Sequence, residues 1–258
     1  MQRLEPDCVL FVGDLSEGDL GIVKDIRMIS LPTAVILGNH DRGNDQTGVL
    51  LKNQISVLDE LHCGWRLRKW ESPPISVVGA RPCSSGGGFH LSKAVKALYG
   101  SLSIQESAEM IVAAALEASC EWPLIVLAHS GPTGLGSEFS SLCGRDWKAP
   151  PIDWGDQDLA LALSLIRKQR IPELVVFGHM HHYLKRGGKF RQTILQDCWG
   201  TFYLNAACVP RAGRDKNGRK VFHFSWVEFF NRRVDLVAHR WFFEDSSIAY
   251  EELLFQRS

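Results

Sequence analysis

The chain lacks several features that would assign it quickly. It has 7 cysteines, an odd number at wide spacings, and no CxxC pair. A zinc knuckle or a thioredoxin-like redox motif is therefore excluded. Cys8, Cys63, Cys83, Cys120, Cys143, Cys198 and Cys208 mostly have apolar neighbours and read as small buried hydrophobes. A reducing compartment follows, the cytoplasm or an organelle stroma. Net charge is also lacking, because 29 Lys+Arg balance 29 Asp+Glu over 258 residues. That balance excludes a general nucleic-acid binder and an acidic disordered tail. No apolar run approaches the roughly 18 residues needed to cross a bilayer; the best is Cys8–Val12. The opening Met1-Gln2-Arg3-Leu4-Glu5-Pro6-Asp7 holds no secretory stretch. Internal repeats and low-complexity blocks are absent.

What is present is an alternation. Short β-branched apolar runs recur at Cys8–Val12, Thr33–Leu37, Ile75–Val78, Leu124–Ala128, Leu174–Phe177 and Thr201–Leu204. Continuous apolar runs of this length predict strands buried on both faces, with helices covering the sheet. Ser103 with Glu106 forms a capping box and predicts a helix carrying Met110, Ile111, Ala114 and Leu116. Gly155-Asp156 opens another, with a stripe of Leu159, Leu163 and Ile166 and cations Arg167, Lys168 and Arg170 in its last turn. A third runs from about Val49 to Leu61. Ser84-Ser85-Gly86-Gly87-Gly88 reads as a flexible loop and Arg211 to Lys220 as a polar turn. Lys220 to Phe230 and Arg232 to Phe243 predict an antiparallel hairpin about Asn231. The class is α/β, with strands in one or two mixed sheets, and residues 1–258 read as a single domain.

Chemistry concentrates where these strands end. The first runs into Gly13-Asp14, the second into Gly38-Asn39-His40-Asp41, a later one into His129-Ser130-Gly131-Pro132, and the next into Gly178-His179-Met180-His181-His182. Functional residues in open α/β sheets gather at that rim. Oxygen and imidazole donors delivered there suit Mn²⁺, Fe or Zn²⁺. Each cluster alone also reads as a turn, a helix cap or a bonded core histidine. Four of them at strand ends make the case. His62, His90, His223 and His239 lack such context and read as structural or exposed.

In order and content the blocks Val12-Gly13-Asp14, Leu37-Gly38-Asn39-His40-Asp41, Ala128-His129-Ser130-Gly131-Pro132 and Phe177-Gly178-His179-Met180-His181 resemble the calcineurin-like metallophosphoesterases. Gly131-Pro132-Thr133-Gly134-Leu135-Gly136 and the extended run to His182 resemble a subgroup from photosynthetic lineages. The resemblance implies a sandwich of two mixed sheets flanked by helices, and hydrolysis of phosphoric esters with two divalent ions. It implies that Asp14 bridges both ions, that Asn39, His129 and His179 complete one site, and that His181 joins Asp14 in the other. It implies that His40 contacts the phosphate and protonates the leaving oxygen, with Asp41 orienting its ring. The partner is then a phosphorylated substrate; no membrane and no general nucleic-acid partner is expected.

One family element is not in the sequence. Members begin with a strand ending in Asp-x-His that adds ligands to the first metal; here 13 residues precede Asp14 and none form that motif. The first strand is expected to be missing, so that one metal site is incomplete. The chain then reads as a fragment of a longer protein or as a short form that lost a site. Weak or absent activity is expected of these residues alone. The competing readings are a non-catalytic or single-metal member acting as a binding scaffold, and a mononuclear zinc amidohydrolase. The second of these is disfavoured by the absence of a carboxylate general base beside the histidines. Arg81, Arg145 and Arg211 lie in loops within possible reach of a phosphate, and Trp147 and Trp154 flank the loop Ala149-Pro150-Pro151.

Overall fold

Neighbouring residues on the central strands are buried on opposite sides, and this sets the architecture. The computed structural model describes residues 4–258; Met1-Gln2-Arg3, part of the opening read as free of a secretory stretch, lie outside the described residues. Strand β1 (Val9–Phe11) pairs in parallel with β2 (Thr33–Val35), and helix α1 (Leu20–Arg27) connects them. Helix α2 (Val49–Leu58) ends in a 3-10 turn at Asp59–Leu61. Then follow β3 (Leu67–Glu71), β4 (Pro74–Gly79), α3 (Lys93–Tyr99), α4 (Ile104–Leu116), β5 (Leu124–Leu127), α5 (Gln157–Ile166), β6 (Leu174–Phe177), β7 (Ile194–Gln196) and β8 (Phe202–Asn205). The chain closes with β9 (Ala212–Arg214), β10 (Lys220–Phe230), β11 (Arg233–Phe243) and β12 (Ile248–Gln256).

Strands β3-β4-β5-β6-β8-β7 form a six-stranded mixed sheet, with β4, β5, β6 and β8 parallel. Strands β12-β11-β10-β9 form a four-stranded antiparallel sheet. On one face of the six-stranded sheet, Val78, Val126, Val175 and Phe177 pack with Ile111 of α4 and Leu159 and Leu163 of α5. On the other, Val77, Ile125, Leu127, Leu174 and Val176 pack with Val12 and Ile36 beside the β1-β2 pair and with Val234 and Val237 of β11. Every side chain of β5 and β6 is buried. The uninterrupted apolar runs follow from that, since no face of these strands meets water. The sandwich flanked by helices is the predicted one.

Ser103 caps α4 as expected, its hydroxyl accepting from Glu106 N–H while the Glu106 side chain returns to Ser103. The cations placed in the last turn of α5 fall just beyond it, because the helix stops at Ile166. The C-terminal hairpin is present, with β10 antiparallel to β11. It is joined by β12, which the sequence reading did not separate. The polar stretch after Arg211 contains the short strand β9. The Ser84–Gly88 run is anchored, contrary to its reading as a flexible loop. Ser84 is buried and its hydroxyl donates to Asp156 Oδ1 at 2.6 Å. Gly86 and Gly87 adopt left-handed backbone against Trp154, where a Cβ would lie 2.3 Å from the Trp154 carbonyl or 2.4 Å from its ring.

Candidate metal centre

Two loops meet because Gly13 and Gly38 have no side chains. A Cβ on Gly13 would sit 2.6 Å from His129 Nδ1, and one on Gly38 would sit 2.2 Å from Asp14 Oδ1. Only Gly13 also needs positive φ, at 90°. The closeness brings Asp14, His129 and His179 together, with one ligand atom from each lying within 4.8 Å of the others. His129 Nε2 is 3.3 Å from Asp14 Oδ1 and 3.0 Å from Asn39 Oδ1. Asp14 and His179 are both left-handed, at φ 53° and 64°. Backbone strain in non-glycine residues persists where surrounding structure over-determines it, and such residues cluster at functional sites.

Hydrogen bonds fix which ring atom is free. His129 Nδ1 lies 2.6 Å from the Val12 carbonyl, which can only accept, so Nδ1 carries a proton and Nε2 is the ring nitrogen turned to Asp14 and Asn39. The His179 ring is bonded to the Ser85 backbone. Imidazoles that hold metals generally have their other nitrogen tied in this way, which sets tautomer and orientation. Burial and the neighbouring His129 push His179 down to about 3, so its ring is neutral at neutral pH. Burial alone would raise the Asp14 carboxyl. The hydrogen bond and charge of His129, with the His40 N–H at 2.9 Å, outweigh it and hold Asp14 ionised. A carboxylate, an amide oxygen and two imidazole nitrogens converging here fit a divalent transition ion.

The other site residues are placed differently. His181 is exposed and outside this close-set group, although the charge of Asp14 acts on it. His40 is exposed, and its Nδ1 lies 3.8 Å from Glu17 Oε1. Asp41 does not hold the His40 ring in this structure. Its buried carboxylate accepts N–H groups from Leu15 at 2.7 Å, Ser16 at 3.0 Å and Gly38 at 2.7 Å. It ties the Asp14 loop to the Gly38 loop, because three backbone donors in one place outcompete a solvent-facing ring. Arg81, read as a possible phosphate contact, is buried and cannot reach one. It pairs with Asp156 at 2.7 Å and Asp158 at 3.0 Å. Arg145 lies over the Trp154 ring and donates to the Pro150 carbonyl at 2.8 Å. Trp147 and Trp154 stack edge to face. Arg211 is exposed and near enough to Asp14 to feel its charge.

Two supporting residues carry no signal in the sequence. Buried Arg191 donates to the carbonyls of His181 at 3.0 Å, Ser141 at 2.6 Å and Gly144 at 2.7 Å. It sits among Lys185, Arg186 and Lys189, and composition cannot single it out. Asn205 donates to the Met180 carbonyl at 2.7 Å while its own carbonyl receives His182 Nε2 at 2.9 Å. These bonds hold the turn that carries His179 and His181.

Beneath that turn His182, His223 and His239 stack at ring separations of 4.8 to 6.1 Å. Burial pushes His182 to about 4 and the other two to about 3. His62, buried with neither ring nitrogen bonded to a described residue, is pushed to about 4 by burial and by the charge of Arg66. All four folded values lie below the unfolded 6.5. The unfolded chain therefore takes up more protons as pH falls. Stability is fully present above pH 6.5 and is lost as pH falls through 4 and 3. His62 alone contributes about 3 kcal/mol to this loss. The urea midpoint should fall steeply from pH 6.5 to 4, and less steeply in His62→Gln; equal slopes would show that His62 is protonated in the fold.

No helix among the described residues is long and apolar enough to cross a membrane. No curated protein matches the chain. The family model described as calcineurin-like phosphoesterase matches residues 1–183, a span that holds all four strand-end clusters. On that match, the chain belongs to the calcineurin-like phosphoesterase family.

Proposed function

We propose that this protein is a metal-dependent phosphoesterase that hydrolyses a phosphate mono- or diester. The observation that carries the reading is the convergence of Asp14, His129 and His179, with Asn39 at 3.0 Å from His129. These four would hold one divalent ion, and Asp14 with His181 would contribute to a second; Mn²⁺, Fe and Zn²⁺ all suit the donors. When bound, such an ion polarises a phosphoryl oxygen and lowers the pKa of water from 15.7 towards about 7. Asp14 supplies the anionic ligand and Asn39 an uncharged one, so the site does not accumulate negative charge against a phosphate. His40, exposed at the rim, delivers a proton to the leaving oxygen, a general-acid role that suits an imidazole. The free thiols of Cys63, Cys83 and Cys143 in the core fit a reducing compartment, cytoplasm or stroma.

A second reading is a single-ion binding protein, favoured by the position of His181 outside the close-set group. Metal stoichiometry and turnover separate the two. Dialysis against Mn²⁺ followed by elemental analysis should give one to two ions per chain, and 4-nitrophenyl phosphate should be hydrolysed with Mn²⁺ and not with EDTA. One ion without hydrolysis supports the binding protein. No bound ion overturns both.

A further inference from the structure

Beside the turn that carries Asn39 and His40 lies an open cleft of about 190 Å³, lined by Arg42, Asp45, Gln46, His90, Ser92 and Lys93. Its two walls lead away from the metal centre. One is the turn itself, where Gly43 N–H donates to the His40 carbonyl at 2.8 Å and Arg42 stands between them. The other begins at Ser85, whose backbone bonds the His179 ring. It runs to His90, whose carbonyl accepts from buried Arg81 at 2.7 Å. Lys93 Nζ joins the walls, donating to Gln46 Oε1 at 3.0 Å. The cations of this lining have no counter-charge. The Arg42 guanidinium meets only the Gly43 carbonyl, at 3.3 Å, and no described carboxylate pairs with Arg42 or Lys93. Asp45 is committed to its own loop. Its Oδ1 accepts the Thr47 N–H at 2.7 Å and the Thr47 hydroxyl at 2.6 Å, and its Oδ2 accepts the Leu50 N–H at 2.9 Å. Ser92 Oγ accepts the Val95 N–H at 3.3 Å, which leaves its own proton to be donated.

We propose that this cleft is an anion subsite for a second phosphoryl group of the substrate, carried on the leaving group. The proposal rests on the phosphoesterase reading and narrows it to esters that bear two phosphates. Charge selects the occupant. A guanidinium fork, an ammonium and a hydroxyl all donate, and a phosphoryl group accepts through three oxygens. Size agrees, because 190 Å³ equals about six waters at ~30 Å³ each, room for one phosphoryl group and part of its hydration. Order along the turn sets the direction. Asn39 belongs to the metal group, His40 serves the leaving oxygen, and Arg42 follows. Three residues span at most about 11 Å, so a short linker joins the scissile phosphate to the second one. A leaving group without charge leaves Arg42 and Lys93 unanswered, and the cleft discriminates against it.

Two readouts test this. In EDTA, with no metal bound, pyrophosphate titrated into the full chain by calorimetry reads the cleft alone. Saturable binding is expected, weakened at least about tenfold in Arg42→Gln/Lys93→Gln. Arg42 is half-buried and Lys93 exposed, so the double variant should fold, and its urea midpoint checks that. With Mn²⁺, kcat/KM is compared for hexane-1,6-diol bisphosphate and for the monophosphate of the same diol. The ratio should exceed about ten in the parent and fall to about two, the statistical factor for two equivalent phosphates, in the double variant. Absence of saturable pyrophosphate binding overturns the proposal. Binding that the double variant keeps in full overturns it also, since the anion then sits elsewhere. An equal ratio in parent and variant overturns the assignment of the cleft to substrate. Failure to hydrolyse either ester overturns the phosphoesterase reading instead, and the pyrophosphate titration still decides the cleft.

Discussion

Replacing His129 or Asp14 with alanine is expected to lower Mn²⁺-supported hydrolysis of 4-nitrophenyl phosphate by at least about 100-fold. The floor follows from comparison: residues that merely orient a metal ligand cost roughly 10–100-fold when removed, and these two are the proposed ligands themselves. His129 is buried, its Nδ1 is committed to Val12 and its Nε2 faces both Asp14 and Asn39. Asp14 supplies the anion of the group. Loss of either should also release metal, so elemental analysis must move with the rate. His40→Ala is the contrasting variant. Its ring is exposed and its backbone N–H, which bonds Asp14, is retained. It should lower turnover while metal content stays at the parent level. Parent rates in both Asp14→Ala and His129→Ala would remove the site assignment, while the fold assignment would stand.

Arg81→Met should destabilise the protein by about 3–5 kcal/mol, the range for removing one member of a buried ionic group. The guanidinium is buried against two buried carboxylates. Ser84 Oγ bonds Asp156 and Ser107 Oγ bonds Asp158, each at 2.6 Å, and Trp65 Nε1 donates to Ser107 at 3.0 Å. Burial already drives the Asp156 carboxyl up to about 7 against the pull of Arg81. Without the cation two carboxyls are left in a dry site, and they must protonate or draw in water. Arg81→Lys should recover little, because a single ammonium cannot replace a fork that reaches Asp156, Asp158 and the His90 carbonyl at 2.7 Å. Arg81→Met combined with Asp156→Asn and Asp158→Asn should recover part of the loss. Urea unfolding measures all three; a loss below about 1 kcal/mol for Arg81→Met would place the network outside the stabilising core. The same network fixes Ser84, next to the Ser85 backbone that holds the His179 ring. Weaker Mn²⁺ binding should therefore accompany the lost stability.

Much of the fold was legible because burial on both faces writes itself as a continuous apolar run. The strands at Leu124–Leu127 and Leu174–Phe177 could be read that way, as could the Ser103–Glu106 box at the start of α4. Strands at the margins were not. Ile194–Gln196 is short and partly exposed, Ala212–Arg214 is short and exposed throughout, and Ile248–Gln256 is mostly exposed with no clean alternation. None of these is forced to be apolar throughout. The Gly-rich run after Ser84 was misread for a related reason. Glycine signals freedom in a loop and close approach to a neighbour equally well, and only the position of Trp154 distinguishes them.

The sequence by itself determined which groups stand at the strand ends: Asp14, Asn39, His129 and His179, each just past an apolar run. Local rules sufficed there, because a strand buried on both faces must be apolar and its end must turn. Tertiary structure alone decided the pairings across the chain. It turned Asp41 toward three backbone amides, sank Arg81 between Asp156 and Asp158, and left His181 outside the close-set group. The physical reason is that a charged side chain looks the same in sequence whether water or a distant partner solvates it. Which one does is fixed only when residues tens of positions apart are packed together and water is excluded.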